Sequence, residues 1–172
     1  VVYNSSSKII SGQYKVFDAR LFTGWYTDET YTTKVEISGE GVPQLTLTDD
    51  IDLYGKMKTF DLIMHDSNNR ETGSVFKSLI PSTTTRIVFC NEMMPKNAEQ
   101  INGVDDDGDE GVVAWLDGTV MKISTQVESQ KVRVNGDADY LFENQKNLVS
   151  IDFSNLDTSG MTNMSYWFAY DN

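Results

Sequence analysis

The chain has 172 residues, with 26 Asp and Glu against 14 Lys and Arg, a formal net charge of −12, one His and one Cys. This balance argues against nucleic acid or an anionic membrane surface as partner, because both are held by clustered basic side chains. A lone cysteine makes no internal disulfide, one His and one Cys do not fill the roughly four N or S ligands of a zinc site, and no apolar run approaches the ~18–20 residues of a membrane span.

Eight Tyr, eight Phe and three Trp supply large side chains for a core, and the length suits one or two small domains. The first thirteen residues are Ser-rich and start extended. Tyr14 to Phe22 reads as a strand, Gly24-Trp25-Tyr26-Thr27-Asp28 as a turn, and Thr33, Val35 and Ile37 alternate as a second strand. Leu45, Leu47, Ile51 and Leu53 are spaced for strands on either side of Asp49-Asp50. Phe60 to Met64, Val75 to Ile80 and Thr84 to Cys90 read as further strands, Pro81 ending the second of these.

The clearest hairpin is Val112 to Leu116 with Thr119 to Ser124, because Asp117-Gly118 between them suits a turn with positive φ at its centre. Lys131 to Val134 makes another strand, ended by Asn135-Gly136. Short helices are expected over Asp139 to Asn144, N-capped by Asp137 or Asp139, and over Thr162 to Tyr170.

Candidate chemistry is sparse. In Asp105-Asp106-Asp107-Gly108-Asp109-Glu110 the alternate residues Asp105, Asp107 and Asp109 have the spacing that lets three oxygens converge on calcium. An EF-hand needs Gly at Glu110 and a bidentate Glu at Leu116, so the choice lies between a looser calcium loop and a solvated acidic turn, the latter favoured. Calcium is the one cofactor in view. His65 follows an apolar strand and Cys90 sits within one, and nothing pairs them as base and nucleophile. There is no Gly-x-Ser-x-Gly and no phosphate-binding Gly-rich loop, so no catalytic residue is assigned.

The final stretch, Asn147 to Asn172, holds the strongest pattern. Leu148, Ile151 and Phe153 precede the polar Asp157-Thr158-Ser159-Gly160, and an aromatic cluster follows at Tyr166, Trp167 and Phe168. The segment Asp139-Tyr140-Leu141-Phe142 aligns with Ser165-Tyr166-Trp167-Phe168, so Tyr-x-Phe recurs after 26 positions, a period typical of leucine-rich-repeat coils. Exposed Tyr166, Trp167 and Tyr170 would serve as recognition anchors. The opposing reading places Phe168, and more narrowly Trp167, in the core.

The residues Leu148 to Phe168, with Asp-x-Ser-Asn followed by Asp-Thr-Ser-x-x-Thr-x-Met and an aromatic end, resemble the repeat of BspA-like leucine-rich-repeat surface proteins. The resemblance extends from about Lys77 to Asn172 and includes one full repeat. A second stretch, Phe22-Thr23-Gly24-Trp25-Tyr26-Thr27-Asp28 through Thr48 to Lys56, resembles the Listeria–Bacteroides repeat, a small β-grasp-like module, with Gly55 and Met57 in place of the usual Ala and Trp.

The expected fold is therefore mainly β: a β-grasp-like module over residues 1–58, then a β-rich leader and the first coil of a leucine-rich-repeat solenoid over 59–172. The resemblances imply a non-enzymatic binding or adhesion segment of a bacterial cell-surface or secreted protein, located outside the cell, with a protein or glycan ligand. The alternative is a structural assembly subunit or spacer, such as an appendage or phage virion component, whose partners are neighbouring subunits. The chain begins at Val1 and is expected to be an excised domain or the ordered part of a longer chain.

Overall fold

A computed structural model describes residues 3–5, 8–10, 20–36, 52–64 and 74–170. The described structure is mainly β, with one helix of a single turn. The chain divides into two compact units, Val1–Lys58 and Thr59–Asn172.

In the first unit, β1 (Tyr3–Ser5) pairs antiparallel with β2 (Lys8–Ile10). Strand β3 (Phe22–Tyr26) pairs antiparallel with β4 (Tyr54–Met57), Trp25 facing Gly55 and Tyr26 facing Tyr54. The sequence Gly24-Trp25-Tyr26, expected to turn, is thus strand, because its ring residues alternate across the pleat and cover the sheet. The rings of Phe22 and Trp25 meet edge to face at 5.3 Å. A Cβ on Gly55 would lie 3.2–3.3 Å from both of them, so glycine here leaves room for the rings.

The turn itself follows at Asp28. Its carboxylate accepts from the backbone N–H groups of Thr30, Thr32 and Thr33 and from the hydroxyls of Thr30 and Thr32. The Thr30 hydroxyl leads the bonds that hold this carboxyl well below its ordinary range. The predicted strands at residues 14–19, 37 and 45–51 fall outside the described residues.

The second unit is built on a five-stranded sheet in the order β10-β5-β8-β7-β6. Its members are β5 (Arg86–Cys90), β6 (Gln100–Ile101), β7 (Val113–Asp117), β8 (Val120–Ser124) and β10 (Ser150–Asp152). Strands β10, β5 and β8 run parallel, while β7 and β6 run antiparallel to their neighbours. The β7–β8 hairpin turns with Gly118 at φ 62°, the backbone state the Asp-Gly pair anticipates. Trp115, Met121, Ile123, Ile87 and Phe89 are fully buried.

Phe60, Leu62 and Met64 alternate into the core, and the chain there bridges Arg133 and Asp105. The segment Val75 to Ile80, expected as a strand, instead contains the single-turn helix α1 (Phe76–Leu79). Its apolar residues Val75, Phe76, Leu79 and Ile80 are spaced by three and four, which places them on one helical face rather than on alternating faces of a strand. Phe76 and Ile80 are both buried.

The remaining strands form a two-stranded parallel pair, β9 (Val132–Asp137) with β11 (Leu156–Asn163). Leu156 faces Val132 and Asn163 faces Asp137, so the offset between partners widens along the ladder through two irregularities. Asn135-Gly136, expected to end the strand, lies within it: Gly136 takes φ 72° and lets the ladder continue through the bulged register. The predicted helices at Asp139 to Asn144 and Thr162 to Tyr170 are turns. Positive φ at Tyr140, Asn144, Tyr166 and Tyr170 interrupts any helix, and Thr162 and Asn163 stay in β11.

Candidate functional site

Two places in the second unit gather the residues singled out by sequence. The first is the acidic loop. Carboxylate oxygens of Asp105, Asp107 and Asp109 lie within 4.8 Å of one another, as the alternate spacing anticipates. These oxygens are already engaged by backbone. Asp105 accepts from Val112 N at 3.0 Å and Glu110 N at 2.9 Å, and Asp109 from Gly111 N at 2.9 Å and Thr59 N at 3.0 Å. Asp107 accepts from Asp109 N at 3.3 Å.

The loop is therefore a self-bonded turn whose carboxylates replace missing backbone acceptors, and it borders a cavity of about 200 Å³ lined by Gln100, Asn102 and Glu110 among others. Burial pushes the Asp105 carboxyl up to about 6, and the charges of Asp109 and Asp107 add to that, against the lowering effect of the bonds from Val112 and Glu110. The three carboxylates offer oxygen ligands of the kind calcium takes, and each of them also has a structural task.

The second place is the pair of turns that follow β9 and β11. They repeat position by position. Asp137 Oδ1 accepts from Asp139 N, and at the equivalent place in the second turn Asn163 Oδ1 accepts from Ser165 N. Tyr140 O accepts from Glu143 N, and Tyr166 O from Ala169 N. Positive φ recurs at Tyr140 and Tyr166 and again at Asn144 and Tyr170.

The turns lie directly against each other. Tyr140 N donates to Ser165 O, Ala138 N to Asn163 O and Asn144 N to Ala169 O. The rings of Tyr140 and Tyr166 are parallel, 4.8 Å between centroids. The Lys77 ammonium lies over the Tyr140 ring, 5.3 Å from its centre, and pairs with Glu143. Gly160 sits where a Cβ would come within 2.0 Å of Asn135 Oδ1, while the Asn135 amide donates to Asp61 at 2.6 Å. Small size at 160 thus leaves room for the Asn135 side chain in the conformation that reaches Asp61.

The aromatic candidates divide. Tyr166 and Tyr170 are 62% and 76% exposed. Trp167 is buried, stacked edge-on against Phe142 at 5.3 Å, and its indole N–H donates to Ala138 O at 2.5 Å. It joins the core, which takes it out of the exposed recognition set. Phe168, expected in the core, is 57% exposed instead, its ring lying parallel to Phe142 at 5.9 Å and edge to face with Trp167 at 6.3 Å.

The exchange has a geometric cause. A turn with positive φ at Tyr166 aims successive side chains differently from a helix, so residue 167 points back into the fold and residue 168 along the stack. Beside Tyr170 an open groove of about 530 Å³ is lined by Glu143, Asn144 and Lys146. The positive-φ tyrosines at 140, 166 and 170 escape a reading by side-chain type, since Tyr seldom adopts that backbone, whereas Asn144 is of a type that does. The echo of Tyr-x-Phe was the available signal.

Cys90 is buried beside Val113 and Trp115, and burial pushes its thiol up, which suits packing rather than nucleophilic work. His65 lies outside the described residues. Among the described residues no helix is long and apolar enough to cross a membrane. Comparison of the chain with protein-family models, with curated proteins and with solved structures returns no match.

Proposed function

We propose that the chain is a non-enzymatic binding or adhesion segment of a bacterial cell-surface or secreted protein, with residues 59–172 forming the leader and opening coils of a leucine-rich-repeat solenoid of the BspA-like kind. Residues 1–58 take the part of a β-grasp-like module in this reading. The observation that supports it is the doubled strand and turn: β9 and β11 run parallel, one repeat apart in sequence, and the turns after them share hydrogen bonds and backbone states. Repetition of this sort builds a rigid scaffold from short units, and a scaffold displays loops and strand faces to a ligand without needing a catalytic pocket.

The ligand is a protein or glycan, and the excess of acidic side chains favours a partner with basic character. The test is capture of matrix proteins, glycans and bacterial cells by a multimerised form of the full chain. Saturable binding that weakens as salt is raised is the expected result. A multimer that binds none of these classes overturns the reading.

A second reading, a structural spacer or assembly subunit, is favoured by one specific observation. Large apolar side chains at the surface concentrate at the end of the second unit: Val149, Phe153, Met164, Tyr166, Phe168 and Tyr170. Exposed apolar side chains gathered near one end of the sequence favour a contact face. Light scattering of the full chain, together with its behaviour when the patch is made polar, separates the two readings.

A further inference from the structure

Asn144 and Tyr170 hold equivalent places in the two turns, and both take φ 61°. Asn144 N donates to Ala169 O, which sets the two places side by side. Their side chains line the open groove of about 530 Å³ together with Glu143 and Lys146. That volume falls within the roughly 300–1,000 Å³ of small-ligand sites. The lining is too small for a protein interface, which takes about 20–30 residues on each side.

The groove is shaped by contacts of its own. Gln145 Nε2 donates to the carbonyls of Lys77 and Glu143 at 3.0 and 3.3 Å, which ties the rim to α1. The Lys77 ammonium pairs with one oxygen of Glu143 and holds that carboxylate in place, leaving its second oxygen to accept from a ligand. Tyr170 is 76% exposed in a backbone state that Tyr seldom adopts. Burial of the ring does not compensate that state, and backbone outliers of this kind gather at ligand clamps.

The lining joins an aromatic ring to three polar groups of different kinds: a carboxylate that accepts, an amide that donates and accepts, and an ammonium that donates. Lys77 balances Glu143, so Lys146 leaves the groove with a single positive charge in a chain of net −12. The field of the whole chain repels an anion and Lys146 repels a cation, whereas a neutral ligand meets neither penalty. A sugar ring presents C–H groups on one face and hydroxyls around its edge. The C–H face suits the electron-rich face of a tyrosine, and the hydroxyls suit the mixed donors and acceptors.

We infer that this groove is a subsite for a neutral saccharide, whose ring stacks on Tyr170 while its hydroxyls bond to Glu143, Asn144 and Lys146. The inference rests on the binding reading proposed above and gives the ligand its chemical class and its place.

The test is calorimetric titration of the full chain with neutral oligosaccharides of glucose, galactose, mannose and N-acetylglucosamine, with sialylated and sulfated oligosaccharides as a second arm. A neutral oligosaccharide is expected to bind with a Kd of about 1 mM or below, unchanged within about twofold from about 0.05 to 0.5 M salt. Tyr170→Ala is expected to weaken binding by at least about tenfold. Asn144→Gly, which keeps the positive φ, weakens it by at least about fivefold, and Tyr170→Phe, which keeps the ring, by less than about threefold. Each variant is titrated well below its own denaturation midpoint, so that a loss reports the groove. No binding of a neutral saccharide, binding in the charged arm alone, or full affinity in Tyr170→Ala overturns the inference. Matrix proteins and bacterial cells are tested in parallel. Their capture with no saccharide bound overturns the groove alone, and no binding in any arm overturns the adhesion reading with it.

Discussion

The turns at 138–144 and 164–170 form a natural comparison, with the same hydrogen-bonding plan and two different burials. Phe142 touches Phe76, Phe153, Trp167 and Phe168 and is fully enclosed, whereas Phe168 lies against Phe142 and Trp167 and is 57% exposed. An aromatic ring contributes according to what surrounds it. Side-chain identity alone does not rank the two positions.

The largest break in this comparison is Phe142→Ala. It removes the ring that joins α1, β10's flank and both turns, and a loss of about 3–5 kcal/mol is expected from the cavity and the transfer term together. Chemical denaturation of the full chain measures it. A loss below about 1 kcal/mol would mean that the turns do not share a core.

Next comes Trp167→Phe, which keeps much of the apolar volume but leaves Ala138 O without its indole donor. A loss of about 1–3 kcal/mol is expected, with faster exchange at the Ala138 and Tyr140 amides that lie beside it. Phe168→Ala, at the equivalent position to Phe142, is expected to cost less than about 1 kcal/mol, as for a half-exposed ring. If it matched Phe142→Ala, the exposure contrast between the two turns would be wrong.

The smallest effect sharpens a parallel contrast between two turn carboxylates, Asp105, which accepts from Glu110 N and Val112 N, and Asp157, which accepts from Ser159 N. Burial raises the Asp105 carboxyl to about 6, whereas Asp157 is held below its ordinary range, chiefly by the Ser159 backbone N–H. The signs are opposite. For Asp105 the folded value lies above the unfolded 3.8, so its contribution is fully present below about pH 4 and is lost as pH rises through about 6. For Asp157 the contribution is present above the ordinary carboxylate value and is lost as pH falls below it. Asp105→Asn is therefore expected to flatten the stability profile between about pH 4 and 6, while Asp157→Asn leaves that window unchanged and flattens the profile at lower pH. Denaturation midpoints across this range check both. Calcium that raised the midpoint of the native chain, and did not raise that of Asp105→Asn, would assign the loop a second task.

Much of the strand content was legible in the residues. Ile87 and Phe89, Met121 and Ile123, and Val132 and Val134 alternate in sequence and are buried in the structure, and Gly118 turns where Asp-Gly lies. The failures share a cause. The segment from Val75 to Ile80 was short enough for strand and helix to compete, and contact with the core chose the helical spacing. At 139–144 and 164–170 the local composition admits a helix, but stacking between the turns selects positive-φ tyrosines that no helix tolerates. The same stacking buries Trp167 and leaves Phe168 out. That outcome depends on the direction of each Cβ in a turn whose shape is stabilised by the turn at 138–144 against which it stacks.

By itself the sequence determined the β character, the hairpin, the triad of alternate carboxylates and the recurrence of Tyr-x-Phe, because each is a matter of local spacing. Tertiary structure alone decided which aromatic ring is enclosed, which carboxylates serve the backbone and which residues of the second turn stay exposed. Those outcomes depend on parallel pairing between distant strands, which is set by packing and hydrogen bonds that no local pattern contains.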